Sequence, residues 1–246
     1  MLLVSNGCSH TAGAELDYPG QGECYKKAWP KHLADSLGYD HINLSISGAS
    51  TNRIIRTTYE FIYNWIKQGK STKDVFMVIL WSGVYRTEIY VENEKINYNY
   101  DNKWTPLVVG NDTTYKKQLS PSLYYYYKSW TANMTGYQAS CDFYIAVANL
   151  QNLLYRHGIK YLFMDAANSG LRTGDKRLDP YRVQIDKRYY EGLDEDHNCY
   201  TSLCNNSGQK IAQGSIDSGL NSHYDEDAHR WFARYTKKII HKRNIL

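Results

Sequence analysis

Ser9 is the first residue of this chain whose type and position could do chemistry. It closes a short apolar run that breaks into glycine and then a hydroxyl, Leu2-Leu3-Val4-Ser5-Asn6-Gly7-Cys8-Ser9-His10-Thr11. A serine hydroxyl is a weak nucleophile until a base removes its proton. A candidate base stands near the other end of the chain, in His223-Tyr224-Asp225-Glu226-Asp227-Ala228-His229-Arg230-Trp231-Phe232-Ala233. Between them, Ser47-Gly48-Ala49-Ser50 offers a glycine, where a backbone N–H can approach a substrate oxygen closely. Nucleophile, base and oxyanion donor are the parts that acyl transfer needs. Taken singly each has a plainer reading, as a turn serine, a strand-to-helix turn and a structural histidine.

Those residues must be brought together by the elements around them. Leu2 to Ser5 reads as a first strand, and Lys26 to Leu37 carries apolar residues at helical spacing up to Gly38. Asp40 to Ser45 is a short second strand. Ser50 or Thr51 is placed to cap a helix running through Ile54, Ile55, Tyr59, Ile62 and Ile66 to Gly69. Asp74 to Leu80 is a continuous apolar run, as a buried parallel strand requires. Cys141 to His157 reads as a helix, Lys160 to Met164 as a strand, and Asp225 opens a last helix through Trp231, Phe232, Tyr235, Ile239 and Ile240. This alternation predicts a three-layer α/β/α domain with a flavodoxin-like, doubly wound parallel sheet. Open sheets of that kind place their chemistry at the C-terminal tips of the strands, where Ser9 falls. We expect one domain over 1–246, with a Tyr- and Asn-rich insertion at about 88–135 and a polar one at about 171–215. The first is expected to hold no clear core element before a helix near Tyr124, and to form the substrate cleft.

Composition bounds the alternatives. With 246 residues and 42% hydrophobic content the chain can bury one large core. No run of about 18 apolar residues suits a membrane helix. The start lacks a basic region followed by an apolar signal core, so a cytoplasmic or virion-associated protein without signal peptide is expected. Net charge is only +4, and the cluster Lys237, Lys238, His241, Lys242 and Arg243 suits a solvated helix end, so no nucleic-acid partner and no membrane are expected. Five scattered cysteines, with no CxxC pair, read as reduced thiols; Cys199 and Cys204 alone make a poor zinc site. Neither GxGxxG nor GxxxxGK[ST] occurs, which disfavours a nucleotide binder. The 24 tyrosines against 5 phenylalanines suit either a wet, adhesive surface for glycans or partner proteins, or ordinary aromatic packing.

Gly7-Cys8-Ser9-His10-Thr11, Ser47-Gly48-Ala49-Ser50 and His223 to His229 together resemble the SGNH (GDSL-type) hydrolases. The family's first block reads G-D-S-x-T, with Cys8 here in place of aspartate. Its last block commonly reads H-P-x-x-x-G-H before an apolar helix; His223 and His229 keep that separation, with Tyr224 and Ala228 in place of proline and glycine. The resemblance covers roughly 1–87, 139–168 and 215–242. It implies a serine esterase acting on an ester or O-acetyl group, on a carbohydrate, with no metal or organic cofactor. Ser9 would be the nucleophile, His223 the general base and His229 a structural residue. The backbone N–H groups of Ser9 and Gly48 would hold the oxyanion. Small SGNH-like proteins of this look resemble bacteriophage-encoded ones, where virion association or a homo-oligomer is expected.

Two departures from the family shape the remaining expectations. Its G-x-N-D block supplies an asparagine to the oxyanion hole, whereas Trp81-Ser82-Gly83-Val84-Tyr85-Arg86 has none. Ser82 is the substitute oxyanion donor, and Asn52 and Arg86 are the expected substrate contacts. The family's triad aspartate lies three residues before the histidine, where this chain has Leu220; Asp217, three residues further back, is the expected acid if the loop bulges, and otherwise Ser9 and His223 work as a dyad with a backbone carbonyl orienting the ring. Glu226 with His229 is a competing acid–base pair, ranked lower because that histidine would sit inside a helix. The same departures motivate the other reading, an SGNH-fold binding or structural module with little activity.

Overall fold

A computed structural model of the protein describes residues 1–17, 24–92, 103–167, 174–193, 199–217 and 223–246. β1 (Leu2–Gly7) runs into the one-turn helix α1 (Ser9–Ala12). α2 (Cys24–Lys27) and α3 (Trp29–Leu37) precede β2 (Asp40–Asn43), and α4 (Thr51–Lys67) leads back to β3 (Val75–Trp81). An inserted unit follows, comprising β4 (Arg86–Tyr90), β5 (Trp104–Val108), α5 (Asp112–Gln118) and α6 (Pro121–Asn133). α7 (Gly136–Arg156) and β6 (Lys160–Asp165) rejoin the main body. α8 (Asp179–Arg182), α9 (Tyr200–Asn206), α10 (Gln213–Asp217) and α11 (Glu226–Lys242) complete the chain.

The main sheet is parallel, in the order β2-β1-β3-β6, and is covered on both faces as such sheets must be. Alternation along each strand divides the core in two. Leu3, Phe76, Val78 and Leu80 pack with Leu33 of α3 and Phe232 and Ile240 of α11. Val4, Met77, Ile79 and Trp81 pack with Ile54 of α4 and Phe143, Val147 and Leu150 of α7. This is the three-layer α/β/α fold expected from the strand–helix alternation. Both expected caps form. Ser50 Oγ accepts the Arg53 N–H at 3.1 Å, and Asp225 Oδ1 accepts the Ala228 N–H at 2.9 Å.

The first insertion differs from expectation. It contains an antiparallel hairpin, β4 with β5, and a small core of Leu107, Tyr115, Leu119 and Tyr127. The short strands escape a periodicity reading because β5 carries Pro106, which has no N–H to donate. A side chain completes this edge instead: the Tyr115 hydroxyl donates to Pro106 O at 3.1 Å and accepts the Val108 N–H at 3.0 Å. The tyrosines divide between the core and the surface. Tyr127, Tyr144, Tyr190 and Tyr200 are fully buried, whereas Tyr63, Tyr125, Tyr126 and Tyr155 are exposed.

Candidate active site

The tip of β1 is built to present a sharp turn. Asn6 is buried, and its amide nitrogen donates toward Ile54 O, Thr57 Oγ1 and Thr58 Oγ1 at 3.0, 2.9 and 3.1 Å. Its Oδ1 accepts the Gly7 N–H at 2.9 Å. The tip is thereby bonded to α4. At Gly7 the chain folds back so tightly that a Cβ would lie 2.7 Å from Leu80 O and 2.3 Å from Thr11 Oγ1. Only glycine admits this approach. Asn43 Nδ2 then holds Thr11 O at 3.0 Å, fastening α1 to the end of β2. Gly7→Ala is expected to lower stability by about 1–3 kcal/mol, the usual cost of overpacking a core. A thermal melt unchanged from that of the native chain would contradict this.

Ser9 opens α1 and is partly exposed, at the C-terminal edge of the sheet. His223 reaches the same place from the other end of the chain. Its backbone is held on both sides: its N–H donates to Ser215 Oγ at 3.1 Å, and its carbonyl accepts the Ala212 N–H at 2.9 Å. The His10 ring, on the residue after Ser9, lies 5.0 Å from the His223 ring, centroid to centroid. The helix that begins with Ser9 therefore touches the candidate base. Among the described residues the Ser9 hydroxyl makes no hydrogen bond to His223. Such bonds are often long or poorly aligned without substrate.

The acid beside His223 is not the expected one. Glu15 Oε2 lies 3.1 Å from His223 Nδ1, with both side chains mostly buried. The contact is short but bent away from an aligned hydrogen bond. Glu15 adopts φ +69°, a left-handed conformation rare for a residue with a Cβ and costing on the order of 1 kcal/mol or more. Lys27 Nζ to Asp17 Oδ1, at 2.5 Å, anchors the loop that carries it. Asp217 is corrected accordingly: its carboxylate accepts from Gln213 Nε2 at 2.6 Å on the surface of α10 and forms no ion pair with His223. Leu220 lies outside the described residues. Nothing in the local sequence marks Glu15, because the loop path alone brings it there.

The remaining candidates sort by geometry. His229 is buried in α11, and its Nδ1 accepts the Trp29 N–H at 3.0 Å, capping α3. Its Nε2 must then carry the proton, and it faces the Tyr200 hydroxyl at 3.3 Å. The competing Glu226 instead pairs with Arg230, with His32 at 3.9 Å. Ser82 follows β3 and is fully buried, its hydroxyl without a partner among the described residues. Gly48 has φ +76° in the loop before α4, and Ala49 packs in the same cluster as Cys8. Asn52 and Arg86 line one cavity of about 460 Å³ between α4, β4 and α7, which Ser9 and His223 do not line. Of the insertion expected to form the cleft, Trp130 and Met134 reach this wall, and none of its tyrosines among the described residues does. All five cysteines are free, and burial raises the Cys204 thiol to about 12. Among the described residues, no cluster of histidine, cysteine and carboxylate side chains could hold a metal, and no helix is long and apolar enough to cross a membrane.

Several groups around the strand tips are kept neutral. Burial, then His223, His229 and Arg86, hold His10 well below the usual 6.5. Burial, then Lys31, lowers His41 to about 4; burial, then His32 and His223, lowers His229 to about 3. His32 is lowered too, mainly by burial. Burial raises Asp165 to about 7, against the Tyr190 hydroxyl that donates to it at 2.5 Å. Each of these histidines binds a proton less readily in the folded chain than in the unfolded one, so their contribution to stability falls as pH drops through the ordinary imidazole value of 6.5. Asp165 acts oppositely, since the folded state keeps its proton between 3.8 and about 7. The buried histidines outnumber the one carboxyl that acts against them, so unfolding takes up protons on balance and stability declines on acidification from pH 7 to pH 5. Urea midpoints that stay level from pH 7 to pH 5 would refute this.

The fold and the strand-tip cluster define an open α/β/α domain with an imidazole, a carboxylate and a hydroxyl at the sheet's C-terminal edge. The chain belongs to a family of unknown function (DUF6071), whose family model matches residues 14–239. No curated protein matches it. Among solved structures, TesA is similar at 14% identity and TM-score 0.47, covering 99% of each chain. A lipolytic protein of the G-D-S-L family from Veillonella parvula DSM 2008 is similar at 14% identity and TM-score 0.46, covering 97% of each. A catalytic mutant of an acetylxylan esterase from Geobacillus stearothermophilus is similar at 12% identity and TM-score 0.44, covering 97% of this chain and 93% of that one.

Proposed function

We propose that this chain is a serine esterase of the SGNH type, hydrolysing an ester or O-acetyl group carried by a carbohydrate. One observation carries the reading: His223, with Glu15 at its Nδ1, meets the helix that begins with Ser9, at the edge where open α/β sheets place their sites. In this mechanism Ser9 Oγ attacks the ester carbonyl while His223 Nε2 takes the hydroxyl proton. The Glu15 carboxylate keeps the proton on Nδ1 and stabilises the imidazolium that forms. The N–H groups of Ser9 and Gly48 and the Ser82 hydroxyl, which has no other partner among the described residues, hold the oxyanion. His223 returns the proton to the leaving alcohol. A water activated by the same imidazole then cleaves the acyl-serine.

The test is covalent labelling. A fluorophosphonate probe is expected to modify the native protein at a single site, mapped to Ser9 by peptide mass. Labelling that maps elsewhere, or none together with no turnover of p-nitrophenyl acetate, rejects the esterase. The lack of a Ser9–His223 hydrogen bond among the described residues and the exposed Tyr125 and Tyr126 would then favour a glycan- or virion-binding module.

A further inference from the structure

The cavity between α4, β4 and α7 holds polar groups that the fold does not use. Thr51 is nine-tenths buried on its wall, and its Oγ1 has no partner among the described residues. Arg86, on the same wall, forms no ion pair among the described residues. The other arginine there, Arg56, is already held: its Nε and Nη2 donate to Glu88 at 2.8 and 3.1 Å, and its Nη1 to Glu60 at 3.1 Å. Asp142 also lines the cavity, with Gln138 Nε2 donating to it at 2.7 Å.

The third contribution comes from the backbone. α4 has 17 residues, and its N-terminus faces this cavity through Thr51 and Asn52. Ser50 Oγ takes the Arg53 N–H and Ser50 O takes the Ile54 N–H. The N–H groups of Thr51 and Asn52 come before the first intrahelical bond and lie at the positive end of the helix dipole. A guanidinium, a buried hydroxyl and a helix N-terminus converge on one space, with Ile55, Val84 and Phe143 as apolar walls. Such a donor set matches a planar anion, which Arg can grip with two parallel hydrogen bonds.

We propose that this cavity is a substrate-anion subsite, in which Arg86, Thr51 and the first turn of α4 bind a carboxylate borne by the ester substrate. The assignment of this anion to a substrate rests on the esterase reading. Arg86 begins β4 four residues after Ser82, so one short segment of chain carries both the proposed oxyanion hydroxyl and the guanidinium of the subsite. The proposed enzyme thus prefers acidic substrates, with the negative charge on either the acyl or the alcohol side.

Matched ester pairs separate the two sides. Mono-p-nitrophenyl succinate is compared with its methyl ester, and 4-acetoxybenzoate with methyl 4-acetoxybenzoate. One pair is expected to show at least a tenfold preference in kcat/KM for the charged member. Arg86→Met should cut that preference about 10- to 100-fold, the range of a hydrogen bond to a charged group. Arg86→Lys should restore part of it, and Thr51→Val should reduce it several-fold. In parallel, benzoate and succinate are titrated calorimetrically into native protein and Arg86→Met, with succinamide as the neutral control. Saturable carboxylate binding that Arg86→Met loses supports the subsite, even if no ester is turned over; that result would reject the esterase alone. Ester turnover with no charge preference in either pair and no carboxylate binding overturns the subsite and leaves the esterase standing. Variants are compared only where their thermal melts match the native protein.

Discussion

Ser9→Ala is expected to abolish ester hydrolysis, with kcat/KM falling on the order of 10,000-fold or more, since removal of a triad nucleophile costs about that or worse. His223→Gln should fall by a similar amount, and the double variant by little more, because nucleophile and base act as one unit. The expectation follows from the placement of α1: Gly7 lets the helix fold back over the tip of β1, and the His10 ring meets His223 at 5.0 Å. Steady-state turnover of p-nitrophenyl acetate decides it. A Ser9→Ala protein that keeps more than about a tenth of native activity would show that another residue carries the reaction.

Glu15→Gln carries the second large effect, an expected loss of about 100- to 10,000-fold in kcat, the upper figure being that of a triad acid replaced by its amide. KM should change little, since Glu15 acts through His223 and not on substrate. Glu15→Asp should recover part of the rate, because the charge returns on a shorter arm. Asp217→Asn, by contrast, should stay within about twofold of native, a surface substitution away from any buried partner. If Asp217→Asn were the damaging change and Glu15→Gln the silent one, the acid would be the residue expected from the sequence and the 3.1 Å contact would be incidental. Matching thermal melts for both variants would confirm that the comparison concerns catalysis.

The contrast between those two carboxylates shows how far the sequence reaches. Asp217 is near His223 along the chain, and α10 does come close: Ser215 takes the His223 N–H. Its own carboxylate nevertheless turns to Gln213, a one-turn neighbour that any short helix offers. Glu15 is more than two hundred residues from His223 in the chain, and no spacing rule could link them. The small hairpin of the insertion was hidden for a related reason. Its edge is completed by the Tyr115 hydroxyl, a contact that leaves no periodic trace in the residues flanking Pro106.

What the sequence determined by itself is the framework and the ends of the candidate site. The apolar run of β3, the capped amphipathic helices α4 and α11 and the glycine turn before Ser9 are local or periodic signals, and burial on a given face follows from them. They place Ser9 at a strand tip and His223 just ahead of the last helix. The tertiary structure alone decided which carboxylate meets the imidazole and which donors share a cavity. Those depend on loop paths: the left-handed turn at Glu15 and the anchoring of its loop by Lys27 and Asp17. Arg86 faces the start of α4 for the same kind of reason, because β4 packs on that helix through Arg56 and Glu88. Each is a contact between segments far apart in the chain, set by how the layers close and not by any residue's neighbours.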